Sequence, residues 1–233
     1  MRPWEIIDRT PSPGGGELVL ARRAEEWVIR LGSELLMSSR THGSEEALAS
    51  RALQRAAARR AVLVGGLGLG FTLRAALDAL PPDARVEVVE LVGKLVDWNR
   101  GPLAAFAGRP LEDPRVIVRV GDVFARIGET RDFWDAILLD VDNGPRAVNR
   151  PENARLYDQR GLAACRGALR PGGILAVWSA GPDPRFVKGL ERAGLKAEVA
   201  IVPTQGAKGI RYTLFLGQRV AGPSRGRASG RKP

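Results

Sequence analysis

Five short apolar runs recur between residues 61 and 179: AVLVG (61–65), RVEVVE (85–90), RVIVRV (115–120), DAILLD (135–140) and GILAVWS (173–179). Amphipathic stretches separate or follow them: FTLRAALDAL, LVGKLVDWNRGPLAAF, VFARIGE, NARLYDQRGLAACRGALR and DPRFVKGLERAG. Strands that are apolar on both faces and alternate with helices specify a parallel sheet covered on both sides. Right-handed crossovers then make this a doubly wound α/β domain. The last two runs, KAEVAIVP and IRYTLFLGQ, have only TQGAKG between them, a hairpin spacing that predicts one antiparallel strand at the sheet edge. Upstream, GELVLARR, EEWVIRLG and SELLMSS read as short strands, followed by a helix over SEEALASRALQRAAARR with Ser44 at its start. The chain therefore divides into a small β-hairpin region (1–43), a helix plus α/β domain (44–218) and a tail (219–233).

Composition excludes several function classes. A single cysteine (Cys165) and a single histidine (His42) leave no material for a cysteine metal cluster or a multi-histidine site, so no metal is expected. No apolar run approaches the roughly 18 residues of a membrane span, and MRPWEIIDRT lacks a signal-peptide core, which predicts a cytoplasmic protein with no membrane partner. The formal net charge is +10, but Arg219, Arg225, Arg227, Arg231 and Lys232 all fall in the acid-free tail QRVAGPSRGRASGRKP. Its Gly, Ser and Pro content predicts disorder there. The other arginines are scattered over helices, as in AAARRA and CRGALR, without a basic stripe and interleaved aromatics; nucleic acid is not expected as a partner.

The chemistry gathers at strand ends. Gly65, Gly66, Gly68 and Gly70 lie within six positions, after a strand and before a helix, where a nucleotide-type ligand meets a helix N-terminus. Glu90 ends the next strand, 20 residues beyond Gly70, where a carboxylate can accept from both ribose hydroxyls. Asp122, with Val123 after it, follows the third strand and is placed to accept from an exocyclic adenine amine. Asp140 ends the fourth strand, where the chain turns over the cleft. Any one of these acids also reads as a helix cap or a loop carboxylate; three in register after a glycine turn point to a nucleoside site.

These segments carry a resemblance. VLVGGLGLGFTLRAAL, VEVVEL, DPRVIVRVGDVF, FWDAILLDVDNGP and LRPGGILAVWSA together resemble class I S-adenosylmethionine-dependent transferases. Among these they look most like the spermidine synthase (polyamine aminopropyltransferase) family over about residues 17–217. The resemblance implies a mostly parallel, seven-stranded Rossmann-like sheet, preceded by a small β region, and a role in polyamine biosynthesis. It further implies that Glu90 holds the ribose, Asp122 the adenine, and Asp140 the nucleophilic amine as the catalytic residue.

The chain also departs from the family pattern. Leu69 stands where the family's glycine turn has an aspartate for the ammonium of decarboxylated S-adenosylmethionine. Leu48 stands where its amine-gripping segment has a tyrosine, and the loop DVDNGP is short, with Asp142 two residues after Asp140. A turn without an acid suits the carboxylate of ordinary S-adenosylmethionine, so the residues favour methyl transfer to a small acceptor, with an amine among the candidates. Aminopropyl transfer from the decarboxylated donor is the alternative, and a non-catalytic nucleoside-binding protein or a nucleic-acid methyltransferase stays open, as does a homodimer. Asp142, Asn143, His42 and Tyr157 are the acceptor-side candidates. Trp178 reads either as a pocket wall or as core, and Cys165, without a base nearby, as inert.

Overall fold

The computed structural model describes residues 2–141, 144–145, 153–203 and 211–220. Eleven strands and seven α-helices are defined among them, in two sheets. The first sheet holds β1 (Glu5–Pro11), β2 (Glu17–Arg23), β3 (Glu26–Leu31) and β4 (Glu34–Ser38) in consecutive antiparallel order. Helix α1 (Gly43–Arg55) leads from it into the second sheet.

That sheet contains β5 (Ala61–Gly65), β6 (Arg85–Glu90), β7 (Val116–Val120), β8 (Trp134–Leu139), β9 (Leu169–Ser179), β10 (Leu195–Pro203) and β11 (Arg211–Arg219). Their spatial order is β10-β11-β9-β8-β5-β6-β7. β5, β6, β7, β8 and β9 run parallel, as doubly apolar strands require. The reversed strand, β11, is antiparallel to both β9 and β10 and lies one place in from the edge rather than at it. A hairpin returns the chain outward, so β10 forms the edge. Crossovers pass through α2 (Phe71–Ala79), α3 (Gly93–Arg100), α4 (Val123–Gly128), α5 (Ala154–Tyr157) and α6 (Gln159–Ala168), and α7 (Pro184–Arg192) precedes β10.

Each face of the large sheet has its own core. Val62, Val64, Val86, Val88, Leu138 and Ala176 pack under α1 and α2, while Leu63, Ile137, Leu139, Leu175 and Val177 face α6 and α7. A third cluster joins the sheets: Leu18, Leu20, Trp27 and Ile29 meet Leu69, Phe71, Leu95 and Trp98. Asp8 fixes this junction, accepting from the Trp98 indole at 2.9 Å and pairing with Lys94 at 3.0 Å. Those two contacts hold its carboxyl well below the ordinary range, at about 2. The N-terminal sheet thus sits over α3 and the glycine turn. No helix among the described residues is long and apolar enough to cross a membrane.

Candidate active site

The parallel strands point their C-terminal ends to one edge, and β5 and β8 leave it in opposite directions, which opens a crevice at the switch point. The glycine turn lies there. Gly66 has φ +85°, and a Cβ on it would fall 2.2 Å from the Asp140 carbonyl oxygen. Gly68 has φ +53°, and its Cβ would fall 2.6 Å from the Met37 sulfur on β4. At both points it is therefore the chain itself that crowds the turn: the neighbouring strand at Gly66, the N-terminal sheet at Gly68. Gly65 packs on Val123 and Leu139, and Gly70 occupies the N-cap of α2.

A cleft of about 160 Å³ opens beside the turn, walled by Gly66, Gly68, Leu67, Leu69 and Phe71 and by Leu18, Ile29, Leu31, Leu36 and Met37 of the N-terminal sheet. Glu90, Asp122, Val123 and Asp140 all line it. The Glu90 carboxylate is buried and each oxygen accepts a backbone N–H, from Leu67 at 2.9 Å and Val92 at 2.8 Å. A carboxylate oxygen can accept more than one donor, so the group has the chemistry a ribose hydroxyl needs while it braces the turn. Asp122 caps α4, accepting from Phe124 N at 2.9 Å, and its other oxygen takes the Arg155 guanidinium. Its bland role as a cap is thus realised, and any adenine amine shares an oxygen already engaged.

Asp140 follows β8 directly. Thr72, in the first turn of α2, donates its hydroxyl to Asp140 Oδ2 at 2.7 Å. Burial pushes the Asp140 carboxyl up to about 6, against the lowering effect of that hydrogen bond. Glu45, from the first turn of α1, lines the same cleft and accepts from the Ser44 hydroxyl. Its carboxyl is pushed up to about 7, first by burial and then by the negative charge of Asp140. Sequence spacing does not single out Glu45, although it falls in SSRTHGSEEAL, the stretch that corresponds loosely to the amine-gripping segment of the resemblance. Only the packing of α1 beside α2 brings this carboxylate to the cleft.

The other candidates scatter. His42 does not line the cleft: it stacks on Phe71 with ring centroids 4.0 Å apart, and its Nδ1 lies 2.7 Å from Glu46. Tyr157 packs on the far core, edge-to-face with Phe186 at 5.9 Å, so helix packing claims it rather than an acceptor. Leu48 is fully buried in the core under the sheet. Trp178 does line the cleft, tilted against Tyr212 at 4.7 Å, and its indole N–H has no hydrogen-bond partner among the described residues. Cys165 is fully buried, its thiol pushed up to about 12 by desolvation. Asp142 and Asn143 lie outside the described residues, as do residues 221–233 of the tail. Arg219 is the last residue of β11, where its guanidinium pairs with Asp132 at 2.5 Å.

The profile of the spermine/spermidine synthase domain matches residues 41–183, which hold the glycine turn and all four acids of the cleft. The chain belongs to the spermine/spermidine synthase family. A polyamine aminopropyltransferase of Bacillus mycoides is 34% identical over 123 residues, covering 52% of this chain and 42% of that protein. One from Corynebacterium efficiens is 29% identical over 208 residues, covering 84% of this chain and 38% of that one. The chain thus spans less than half the length of these relatives. Among solved structures, the spermidine synthase of Thermotoga maritima superposes with a TM-score of 0.75 at 16% identity, over 94% of this chain and 74% of that one. A spermidine synthase in complex with the transition-state analogue AdoDATO gives 0.77 at 17% identity, over 94% and 75%. These likenesses carry the fold, including the small N-terminal sheet. The relatives' names speak for aminopropyl transfer rather than for the methyl transfer that Leu69 favoured in the sequence.

Proposed function

We propose that this family member is a transferase that moves an aminopropyl group from decarboxylated S-adenosylmethionine to a small amine, as a step of polyamine biosynthesis. The observation that carries the reading is the Asp140 carboxylate, desolvated yet held by Thr72, facing the same cleft as Glu90 and the glycine turn. The relatives named polyamine aminopropyltransferase support this choice of group over methyl.

The nucleoside half of the cleft fits such a donor. Glu90 would accept the ribose hydroxyls, and Asp122 and Val123 would border the base. A bound sulfonium nucleoside supplies an electrophilic carbon and a neutral thioether leaving group. Asp140 then has two tasks at one atom pair. Its ionised carboxylate draws in and orients the cationic amine and takes a proton from it, which frees the nitrogen lone pair that attacks the carbon as the C–S bond breaks, an assistance typically worth about 10²–10⁴ in rate. A carboxyl pushed up to about 6 is better matched to that proton near neutral pH than an ordinary aspartate. The apolar walls from the N-terminal sheet exclude water and strengthen each charge interaction.

A second reading has one specific observation behind it. Leu69 is buried and lines the cleft, so the turn offers no carboxylate to the donor's ammonium. That favours ordinary S-adenosylmethionine and methyl transfer. Calorimetric titration with both compounds separates the two. Aminopropyl transfer predicts the decarboxylated donor as the tighter ligand, whereas a tenfold preference for S-adenosylmethionine overturns it in favour of methyl transfer. A protein that binds either compound but turns over neither is a nucleoside-binding relic.

A further inference from the structure

Two carboxylates, Glu45 and Asp140, face one cleft, and among the described residues neither is paired with a cation. The partner of Glu45 is the Ser44 hydroxyl, and the partner of Asp140 is the Thr72 hydroxyl. No lysine or arginine is among the described residues lining the cleft. Elsewhere this arginine-rich chain neutralises its inward acids: Glu87 has Arg126 at 2.6 Å and Arg119 at 3.0 Å, and Asp135 has Arg170 at 3.1 Å. A desolvated carboxylate without a cation is expensive, and a second beside it raises the cost through repulsion. An arrangement that costs stability in the free protein is repaid when a ligand brings the missing positive charge.

The opposite wall lacks such a charge partner. A donor whose sulfonium sits near Asp140 and whose nucleoside reaches Glu90 carries an ammonium three carbons beyond the sulfur. Leu67 and Leu69 border that part of the cleft from the turn, and Leu31, Leu36 and Met37 from the N-terminal sheet. Among the described residues Glu45 takes only local donors, the Ser44 hydroxyl and its own backbone N–H; unlike Glu90 it does not brace the glycine turn, unlike Asp122 it does not cap α4, and unlike Asp140 it is not assigned to the acceptor amine. Resting on the reading of this cleft as a donor site, we propose that Glu45 on α1 supplies to the same cleft the carboxylate that the glycine turn lacks at Leu69. It binds the ammonium of the decarboxylated donor and so sets donor choice. The ordinary donor carries a carboxylate beside its amine, and Glu45 disfavours it by repulsion.

Titration behaviour supports the assignment. Burial and the charge of Asp140 push the Glu45 carboxyl up, with Glu46 on the same helix adding to the effect. Tyr212, on β11, is raised by its own burial and then by Glu45. An arriving ammonium reverses the balance and ionises Glu45, so donor binding releases a proton at pH below about 7.

The test uses two nucleosides that differ at the ammonium, decarboxylated S-adenosylmethionine and neutral 5′-methylthioadenosine, titrated calorimetrically into wild type and Glu45→Gln. The expected result is a loss of at least tenfold in affinity for the decarboxylated donor and a change under threefold for methylthioadenosine. In wild type the donor's affinity should rise with pH up to about 7 and flatten beyond; in Glu45→Gln the rise between about 6 and 7 should disappear, leaving only the part below about 6 that Asp140 sets. Adding Leu69→Asp to Glu45→Gln, which returns an acid to the turn, should restore donor affinity. Equal losses for both nucleosides overturn the assignment and make Glu45 a structural residue, and so does unchanged affinity for the decarboxylated donor. If wild type binds methylthioadenosine but not the decarboxylated donor, the reading of the reaction falls together with it. Should the double variant not fold, the single variant and its pH dependence decide alone.

Discussion

The proposed function places catalysis on Asp140. Asp140→Asn keeps its size and the hydrogen bond from Thr72 but removes the charge. It should leave donor affinity within a few-fold of wild type while turnover falls at least about a hundredfold; near-normal turnover would make the acid structural. The acid pair also leaves a thermodynamic trace. Because the folded pKa of Glu45 is raised, its contribution to stability is fully present below the ordinary carboxylate range and is lost as pH rises to about 7. Glu45→Gln removes that loss. The variant should therefore melt higher than wild type at pH 8, by about 2–4 °C for each kcal/mol regained, with little difference at pH 4. Parallel melting curves across that range would contradict the burial of this group. The acids at strand ends were legible because position after a strand is a sequence property. Glu45 was not, because its place in the cleft depends on how α1 packs on α2, which no local spacing encodes. Glu90 also carries more than expected: bracing Leu67 and Val92 makes Glu90→Ala a change to the turn as well as to any ribose contact.

At the level of elements, the parallel strands could be read because β5 and β8 are buried on both faces and β6 and β7 keep β-branched runs, and β5, β6, β7 and β8 fall within a residue of their runs. β1 could not. EIIDRTP has few apolar residues and Ile6 is 51% exposed; the strand exists because its backbone pairs with β2 and Glu5 meets Arg22 at 2.8 Å. The stretch NARLYDQRGLAACRGALR reads as one helix but breaks at Asp158, whose carboxylate accepts from Gly161 N at 2.8 Å and starts α6. A Cβ on Gly161 would lie 2.1 Å from the Arg155 carbonyl, which holds the break tight. β6 carries a buried charge with a purely structural account. Burial alone would raise the Glu87 carboxyl, but Arg126 and Arg119 outweigh it and hold the group below its ordinary value. That contribution is present at neutral pH and fades as pH falls through the acid range. Glu87→Gln strands Arg126, whose side chain is 11% exposed, and should cost roughly 3–5 kcal/mol in urea unfolding at pH 7. A cost below about 1 kcal/mol would show that water reaches the arginine.

At the scale of the molecule, the N-terminal sheet converts an open strand-end crevice into a closed cleft. Met37 over Gly68 and the Leu18, Ile29 and Leu31 wall supply apolar cover, and Asp8 locks the cover to α3. The sequence marks this region as strands but says nothing of where it docks, since its contacts lie from about thirty (Met37 to Gly68) to ninety (Asp8 to Trp98) positions away. The same docking turns a glycine-rich turn, weak evidence alone, into one wall of a site with acids opposite. The central claim, that this cleft transfers an aminopropyl group to an amine, is tested most directly by product mass. The purified chain is incubated with small mono- and diamines and either S-adenosylmethionine or its decarboxylated form, and the amines are read by mass spectrometry. The account predicts amines heavier by one aminopropyl unit, formed with the decarboxylated donor and lost in Asp140→Asn. Amines heavier by one methyl group, or no modified amine with either donor, would contradict it.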